Sequence, residues 1–374
     1  MESHESQLLA FGPNQHGQLG DGSPADASVP RPVAGLAGIR VISVAAGGGH
    51  SAATSAGGAL FTWGWNAAGQ LGHGAARIGE NVPTPRRVAT AHAIAAVALG
   101  WAHTLALTEG GAVLGCGCNR YGQTAPARHG AEVQVAELDA HVAGLAPGAA
   151  VACGARHSLV VGRDGTVVGW GCGRHGQLGG SPASADPKQA LALPCAEPVA
   201  AAAAGFKHSA LLSRAGRVFV YGSDEKGQRG GAAAGDAVAL PAAAGGAGAA
   251  VVTQISSGWS HVAAVEGASG RVFAWGRCDL GQTGTGASAA QQVPLEFEAS
   301  AGASWVCCGS EHNVAAAAGG SSLASWGWNE HGNLGVGDEL DRDRPQAVPL
   351  GGERRAVAAA AACGHTVLLL RPSD

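Results

Sequence analysis

A four-residue motif, Gly-x-x-His, recurs along the 374-residue chain at nearly constant intervals. Successive histidines of the motif are 51 to 54 residues apart, and a fixed period of this length is the signature of a repeat architecture. The seven histidines are His50, His103, His157, His208, His261, His312 and His365. Any fold considered for this chain therefore has to contain seven equivalent units.

A second motif runs in step with the first: an aromatic residue and a glycine, followed by a Gly-Gln-Leu-Gly-like turn. Its copies are FGPNQHGQLG from Phe11, WGWNAAGQLG from Trp63, CGCNRYGQTA from Cys116, WGCGRHGQLG from Trp170, YGSDEKGQRG from Tyr221, WGRCDLGQTG from Trp275 and WGWNEHGNLG from Trp326. Short apolar runs flank both motifs, and Asp-Gly or Gly-Gly pairs between such runs are typical of β-hairpins. Each repeat is therefore predicted to hold four short strands, with the tryptophans in the core between repeats.

Seven repeats of four strands predict an all-β fold, a seven-bladed β-propeller that occupies residues 1–374 as one domain. The chain opens on an aromatic-Gly motif and closes on the seventh Gly-x-x-His, so its two ends are complementary halves of one repeat. We therefore expect the N-terminal strand to complete the last blade and close the ring, which removes an exposed sheet edge. The pattern leaves open whether the Ala- and Gly-rich segment Gly230–Ala250 is ordered.

The composition agrees with many tight turns and argues against several classes of protein. The chain has 62 glycines, where average usage predicts roughly 26. A net charge of -4 offers no basic footprint for nucleic acid. No apolar run reaches the ~18 residues of a membrane helix, and no basic signal-peptide region precedes the first motif. With no disulfide-scaffold spacing among the nine cysteines, we expect a cytoplasmic protein, with the nucleus as a second compartment.

The repeat motifs resemble those of the regulator of chromosome condensation family over nearly the whole chain. Several stretches are most similar to its branch of secretion-regulating guanine nucleotide exchange factors: Ser257-Gly-Trp-Ser-His261, Phe273-Ala-Trp-Gly-Arg-Cys-Asp279, Cys308-Gly-Ser-Glu-His-Asn313 and Trp326-Gly-Trp-Asn-Glu-His-Gly332. The resemblance implies an intracellular interaction protein. It also implies a protein partner, either the small zinc protein of diphthamide synthesis and tRNA wobble-uridine modification or a small GTPase.

None of the short motifs predicts a catalytic, cofactor or metal site. The repeat histidines fall one per blade, too far apart for a single ion, and we expect each to bond a neighbouring backbone group at a blade junction. Gly171–Gly176 has the spacing of a dinucleotide fingerprint, but no helix can follow it. The pairs Cys116/Cys118 and Cys307/Cys308 lack zinc spacing. The sequence therefore predicts no cofactor, no metal and no enzymatic activity.

Three functions remain open at this point. The first and preferred one is a non-enzymatic propeller that scaffolds or regulates a protein partner, as a monomer or in a heterodimer. The second is a guanine nucleotide exchange factor for a secretion-linked small GTPase, although the even repeats leave no room for a large inserted loop to open a nucleotide pocket. The third is a chromatin binder, which the acidic balance and the lack of a basic tail disfavour.

The variable pairs inside the Gly-x-x-His turns predict where a partner binds. The two residues between the glycine and the histidine recur once per blade, so they should form a ring at one end of the central channel. Aromatic and arginine side chains are enriched at interface hot spots, and the ring contains three aromatic residues in a chain with 5% aromatics. The predicted partner-binding residues are Trp101, Arg156, Phe206, Lys207, Trp259 and Glu311. We expect all but Trp101 to form one contiguous arc; alternatively, the aromatic residues only cap the blade core.

Overall fold

The prediction of a closed, seven-bladed β-propeller is confirmed. A computed structural model describes residues 6–124, 133–137, 147–180, 190–242, 250–297, 302–351 and 354–373, with residues 133–137 and 318 described by their backbone alone. Within these ranges the chain forms seven antiparallel sheets and two single-turn 3₁₀ helices, Ala75–Arg77 and Ala318–Gly320. No helix in the same ranges is long and apolar enough to cross a membrane.

The strands are short, as the period of the repeats requires. In chain order they are β1 (Gln7–Gly12), β2 (Ala27–Pro32), β3 (Val41–Ala46), β4 (His50–Ser55), β5 (Leu60–Gly64), β6 (Val82–Arg87), β7 (Ile94–Leu99), β8 (His103–Thr108), β9 (Val113–Gly117), β10 (Val133–Glu137), β11 (Gly148–Cys153), β12 (His157–Gly162), β13 (Val167–Gly171), β14 (Leu191–Ala192), β15 (Val199–Ala204), β16 (His208–Ser213), β17 (Val218–Gly222), β18 (Val252–Ser257), β19 (His261–Glu266), β20 (Val272–Gly276), β21 (Gln291–Glu296), β22 (Ala303–Cys308), β23 (His312–Ala317), β24 (Leu323–Gly327), β25 (Arg342–Ala347), β26 (Arg354–Ala362) and β27 (His365–Pro372).

Each sheet is one blade, and its first strand lines the central channel. Blade 1 is β3–β6, blade 2 is β7–β10, blade 3 is β11–β14, blade 4 is β15–β17, blade 5 is β18–β21, blade 6 is β22–β25, and blade 7 combines β26, β27, β1 and β2. Within a blade, the Gly-x-x-His turn joins the first strand to the second, so all seven turns lie on one face of the disc. We call this the turn face; it also carries the loops between the third and fourth strands.

The two chain ends close the ring in blade 7. Strand β1 lies between β27 and β2, and its register with β27 runs from Gln7 opposite Leu370 to Phe11 opposite Thr366. The side chains from Leu8 to Phe11 are all buried. The edge that β27 would otherwise expose is therefore paired, and an unpaired edge is a liability that native sheets avoid.

Blade 4 differs from the prediction of four strands in every blade. Within the described residues it has three strands, and a single bridge from Phe219 to Ala237 replaces the fourth. Val238 is nonetheless buried, and its backbone N–H donates to the Val218 carbonyl over 2.8 Å. This part of the Gly230–Ala250 segment is rich in alanine and glycine, which are depleted in strands. Residues 243–249 of the segment lie outside the described residues.

Neighbouring blades pack through the aromatic position of the second motif. Trp63, Trp170, Trp275 and Trp326 are completely buried, as expected for core residues. Each indole N–H donates to a glutamine backbone carbonyl in the Gly-Gln turn of the preceding blade, over 2.8 to 3.1 Å. Where Cys116 replaces the tryptophan, its thiol donates to the equivalent Gln70 carbonyl over 3.3 Å. The smaller side chain therefore preserves the polar contact while filling less of the core.

Candidate functional site at the mouth of the central channel

Neighbouring Gly-x-x-His turns are joined by backbone hydrogen bonds around the mouth of the channel. The N–H of Phe206 donates to the carbonyl of Trp259, and the N–H of Trp259 donates to that of Ser310, both over 3.0 Å. The glycine that opens each turn has to lack a side chain, because a Cβ at Gly205 would lie 2.2 Å from the His208 ring. In the seventh turn, where Ala362 replaces the glycine, Cys363 adopts a φ of 42°. It is the one non-glycine residue with positive φ in the part of the chain that the structure describes.

The seven repeat histidines link each blade to the next in a closed ring. Each Nε2 lies 2.8 to 3.1 Å from a side-chain oxygen of the following blade: Thr104, Ser158, Ser209, Ser257, Asn313, Thr366 and, across the closure, Ser51. We expected backbone partners, and the structure corrects this detail to side chains. Asn313 Oδ1 can only accept, so the Nε2 of His261 carries the proton. Burial lowers the pKa of His261 to about 4, which keeps its imidazole neutral at pH 7.

Three aromatic side chains meet over the channel mouth. The ring centroid of Trp259 in blade 5 lies 5.5 Å from that of Phe206 in blade 4 and 5.5 Å from that of Trp101 in blade 2. Trp101 is 41% exposed, and the other two residues are half-buried. Trp101 and Trp259 belong to blades three repeats apart, so their contact spans the opening. We call Trp101, Phe206 and Trp259 the aromatic cluster.

The charged residues of the predicted arc occupy different environments. Arg156 is exposed, and its guanidinium lies 4.9 Å from the centre of the Tyr121 ring and 5.6 Å from that of Phe206. The ammonium group of Lys207 lies 3.5 Å from the Glu225 carboxylate, and both side chains reach solvent. Arg156, Phe206, Lys207 and Trp259 therefore do form a contiguous group on blades 3 to 5.

Glu311 departs from the arc that the sequence predicts. It is 6% exposed, and its carboxylate accepts hydrogen bonds from Arg277 and Gln282, each over 2.7 Å. Burial raises the pKa of this carboxyl above its usual range. Because the group is held beneath the surface by two partners, Glu311 supports the loop of blade 5 and does not present its charge to an incoming protein.

Sequence reasoning missed Tyr121, which supports the Arg156 guanidinium from below. The signal was present, because Tyr121 occupies the position just before the Gly-Gln pair of the second motif. This position is as variable as the pairs in the Gly-x-x-His turns: it holds His16, Ala68, Tyr121, His175, Lys226, Leu280 and His331 in successive repeats. The same argument applied to the second motif would therefore have singled out Tyr121.

The channel beneath the aromatic cluster has a volume of about 360 Å³ and walls of small residues, chiefly alanine and glycine. Four cysteines line it, and burial raises the pKa of each thiol, to about 12 for Cys153 and Cys363, to about 11 for Cys307, and well above the usual range for Cys308. Thiols with such pKa values stay protonated and are poor nucleophiles. Among the described residues, no group of three or more His, Cys, Asp or Glu side chains is arranged to hold a metal ion.

Comparison with known proteins identifies the family to which this propeller belongs. The family model of the RCC1-like domain matches residues 7–368. The chain belongs to the RCC1-like domain family. In structure, this RCC1-like propeller superimposes on a crystal structure of Prp20p from Saccharomyces cerevisiae with a TM-score of 0.86 and 20% identity, covering 100% of this chain and 93% of that one. At this identity, the likeness supports the fold alone.

Two curated relatives of this RCC1-like chain share one name. It is 34% identical to the secretion-regulating guanine nucleotide exchange factor of Bos taurus, covering 91% of this chain and 78% of that protein. It is 35% identical to the factor of the same name from Mus musculus, covering 96% of this chain and 82% of that protein. The resemblance to this branch that the repeat motifs suggested is thereby confirmed.

These relatives correct two predictions. The expectation that the chain has no enzymatic activity is wrong, because the proteins to which it is similar are named for a catalysed nucleotide exchange. The preference for a non-enzymatic scaffold, and the link to a zinc protein of diphthamide synthesis, have no support among these relatives. Such an activity leaves no catalytic motif in a sequence, because the release of a bound nucleotide breaks no covalent bond.

Proposed function

We propose that this RCC1-like propeller is a guanine nucleotide exchange factor for a small GTPase and that it engages the GTPase through its turn face. The observation that carries the proposal is the identity of 34% and 35% to two secretion-regulating exchange factors over more than nine-tenths of the chain. This was the second-ranked function from the sequence, and the comparisons support it better than the first.

Nucleotide exchange requires that binding of the propeller to the GTPase weakens binding of the nucleotide. It does not require a catalytic side chain. If the propeller binds the nucleotide-free GTPase more tightly than the loaded form, nucleotide affinity falls by the same factor when the propeller is bound. The catalytic power therefore lies in a surface that fits one conformation of the GTPase. A rigid surface suits this task, because little ordering free energy is lost when the complex forms.

The turn face has the properties that this coupling needs. The ring of seven histidine bonds ties every blade to its neighbour, and backbone bonds fix the turns beside Trp259. On this frame the aromatic cluster exposes Trp101, and tryptophan is among the residues that dominate interface energies. We therefore assign the centre of the GTPase contact to the aromatic cluster, with Arg156 and Lys207 beside it.

A nucleotide-release assay over a panel of small GTPases tests the function. Each GTPase is loaded with fluorescent GDP, and its release into excess unlabelled GTP is followed with and without the propeller. We expect at least one member to release nucleotide about tenfold faster or more, since coupling free energies of 1–3 kcal/mol correspond to roughly 5- to 150-fold. Unchanged release from every member of a panel that spans the small GTPase families would contradict the proposal.

The double substitution Trp259→Ala with Lys207→Glu tests whether the turn face is responsible. We expect it to abolish capture of the GTPase and stimulated release, because it removes a central aromatic anchor and reverses a neighbouring charge. The melting temperature should stay nearly unchanged, since both side chains reach solvent. The matched control is Val251→Ala with Arg214→Glu, which makes the same kinds of change on the opposite face of the disc. Equal activity of the two variants would place the contact elsewhere.

A further inference from the structure

The loops of the turn face differ in charge between blades 2 to 4 and blades 5 to 7, whereas blade 1 holds one balanced pair, Arg77 and Glu80. In blades 2 to 4, the described residues of the Gly-x-x-His turns and of the loops between the third and fourth strands hold six cations and three carboxylates. The cations are Arg120, Arg156, Arg174, Lys207, Lys226 and Arg229. The carboxylates are Asp224, Glu225 and Asp236. We call the six cations the basic sector. The loops of blades 2 to 4 therefore carry a net positive charge, although the whole chain has a net charge of -4.

Blades 5 to 7 show the reverse balance. Their equivalent turns and loops hold one arginine, Arg277, against eight carboxylates. The carboxylates are Asp21, Asp26, Asp279, Glu311, Glu330, Asp338, Glu339 and Asp341. Arg277 is bonded to Asp279 and Glu311, and arginines of the adjoining strands, Arg31 and Arg342, pair with Asp21 and Asp338. In the basic sector Lys207 pairs with Glu225 and Arg229 with Asp224, so Arg120, Arg156, Arg174 and Lys226 supply its excess of positive charge. The aromatic cluster contains residues from both groups of blades. The turn face is therefore positive over blades 2 to 4 and negative over blades 5 to 7.

The basic sector spans three neighbouring blades, and the aromatic contacts of Arg156 join them. Arg156 in blade 3 lies over Tyr121 of the blade 2 loop and Phe206 of the blade 4 turn. The Phe206 ring that Arg156 contacts belongs to the residue before Lys207, which connects these two cations of blades 3 and 4. Aromatic faces hold the Arg156 guanidinium in position, so less conformational freedom is lost when it binds an anion.

We propose that the basic sector docks an acidic protein surface, a patch of carboxylates on the GTPase partner, and that the aromatic cluster packs against apolar residues beside that patch. The identity of the partner as a GTPase rests on the proposed function; the charge preference of the sector stands without it. A protein surface fits better than a nucleic acid, because a polyanion laid across the face would meet the exposed carboxylates of blades 5 to 7, Asp279, Glu330, Glu339 and Asp341. A protein can match both signs.

Two arginines at opposite ends of one strand provide a matched test. Arg156 precedes β12 and lies on the turn face, whereas Arg163 follows β12 and lies on the opposite face, and both are exposed. Arg156→Glu and Arg163→Glu therefore make the same charge change in the same blade. The probe is a fluorescent Glu-rich peptide, and binding is measured by anisotropy at about 30 mM and about 300 mM salt, where screening differs severalfold.

We expect the unaltered propeller to bind the peptide at low salt and to lose most of this binding at high salt. Arg156→Glu should weaken binding about fivefold or more, and Arg163→Glu less than twofold, because complementary charge governs such contacts. Equal effects of the two substitutions, or no binding at low salt, would overturn the proposal. A short DNA duplex that binds more tightly than the peptide would overturn it too, by assigning the sector to nucleic acid.

The same variants in the nucleotide-release assay separate this inference from the proposed function. If the propeller stimulates a GTPase, Arg156→Glu should lower the rate at limiting GTPase about tenfold at low salt, and the difference from Arg163→Glu should shrink at high salt. Peptide binding that depends on Arg156 without stimulation of any GTPase would refute the exchange function and leave the acidic docking surface intact. Stimulation that is equal in both variants would refute the docking inference alone.

Discussion

Acidification from pH 7 to about pH 5 is expected to unfold the propeller, because the seven histidines at its blade junctions bind protons only when it opens. All seven are fully buried. Burial lowers the pKa to about 3 for His50, His103, His157, His208 and His312, and to about 4 for His261 and His365. In the unfolded chain the same imidazoles titrate near 6.5.

The direction of the effect follows from which state binds more protons. Between the folded and unfolded pKa values the unfolded chain binds more, so the free energy of unfolding rises with pH in this range. The histidine contribution is complete above about pH 6.5 and is lost as the pH falls toward 3 to 4. At pH 5 each histidine lowers the free energy of unfolding by about 2 kcal/mol, because it is protonated in the unfolded chain and neutral in the folded one. Over seven blades this sum is comparable with the ~5–15 kcal/mol that stabilises an ordinary domain.

Urea unfolding at pH 7, 6 and 5, followed by tryptophan fluorescence, measures this dependence. The control is His157→Gln, whose amide N–H can donate to Ser209 without titrating in this range. This variant should show a shallower dependence of the unfolding free energy on pH, because one proton fewer is taken up. A free energy of unfolding that is constant from pH 7 to pH 5 would show that the seven histidines at the blade junctions are not held buried and neutral in the folded protein.

Deletion of residues 2–12 should produce the second large effect, a fall in melting temperature of roughly 10 °C or more. The deletion removes β1 from the middle of blade 7, together with the buried side chains of Leu8, Leu9 and Phe11. Burying one such side chain stabilises a protein by about 1.5–3 kcal/mol. Strand β2 would lose its partner, and β27 would become an exposed edge next to the seventh Gly-x-x-His turn.

Two controls keep this prediction decisive even if the shortened chain is poorly soluble. Deletion of residues 2–5 alone leaves every residue of β1 in place and should leave the melting temperature unchanged. Addition of a peptide with the sequence of residues 6–12 should raise the melting temperature of the shortened protein, because a free sheet edge accepts a donated strand. If deletion of residues 2–12 leaves the melting temperature unchanged, the ring does not depend on β1 for closure.

Much of the fold is readable from the sequence because the period imposes it. Seven copies of Gly-x-x-His leave few alternatives to a ring of blades, and the complementary half-repeats at Phe11 and His365 predict the closure in blade 7. Blade 4 was the exception: among its described residues, the bridge at Ala237 stands in place of a fourth strand. A repeat pattern counts positions in the chain, and it does not reveal where an Ala- and Gly-rich segment lacks the side chains to hold a strand.

The candidate site was predictable in its position and only partly in its content. The variable pairs of the Gly-x-x-His turns do surround the channel mouth, and Trp101, Phe206 and Trp259 are among them. The fate of Glu311 was not predictable, because its burial depends on Arg277 and Gln282 in a loop about 30 residues earlier. Charge in a sequence does not show whether a partner lies within hydrogen-bonding distance.

The repeat, the number of blades, the closure and the variable side of the disc can be read from the sequence, because periodicity and strand alternation are local properties. The folded ring was needed to show that Trp101 and Trp259, three repeats apart, touch across the channel. It was also needed to show that Arg156 contacts both Tyr121 and Phe206, and that positive and negative loops lie on different groups of blades. These contacts form because the blades close into a ring. Closure brings together residues of different repeats whose distance along the chain gives no sign that they touch.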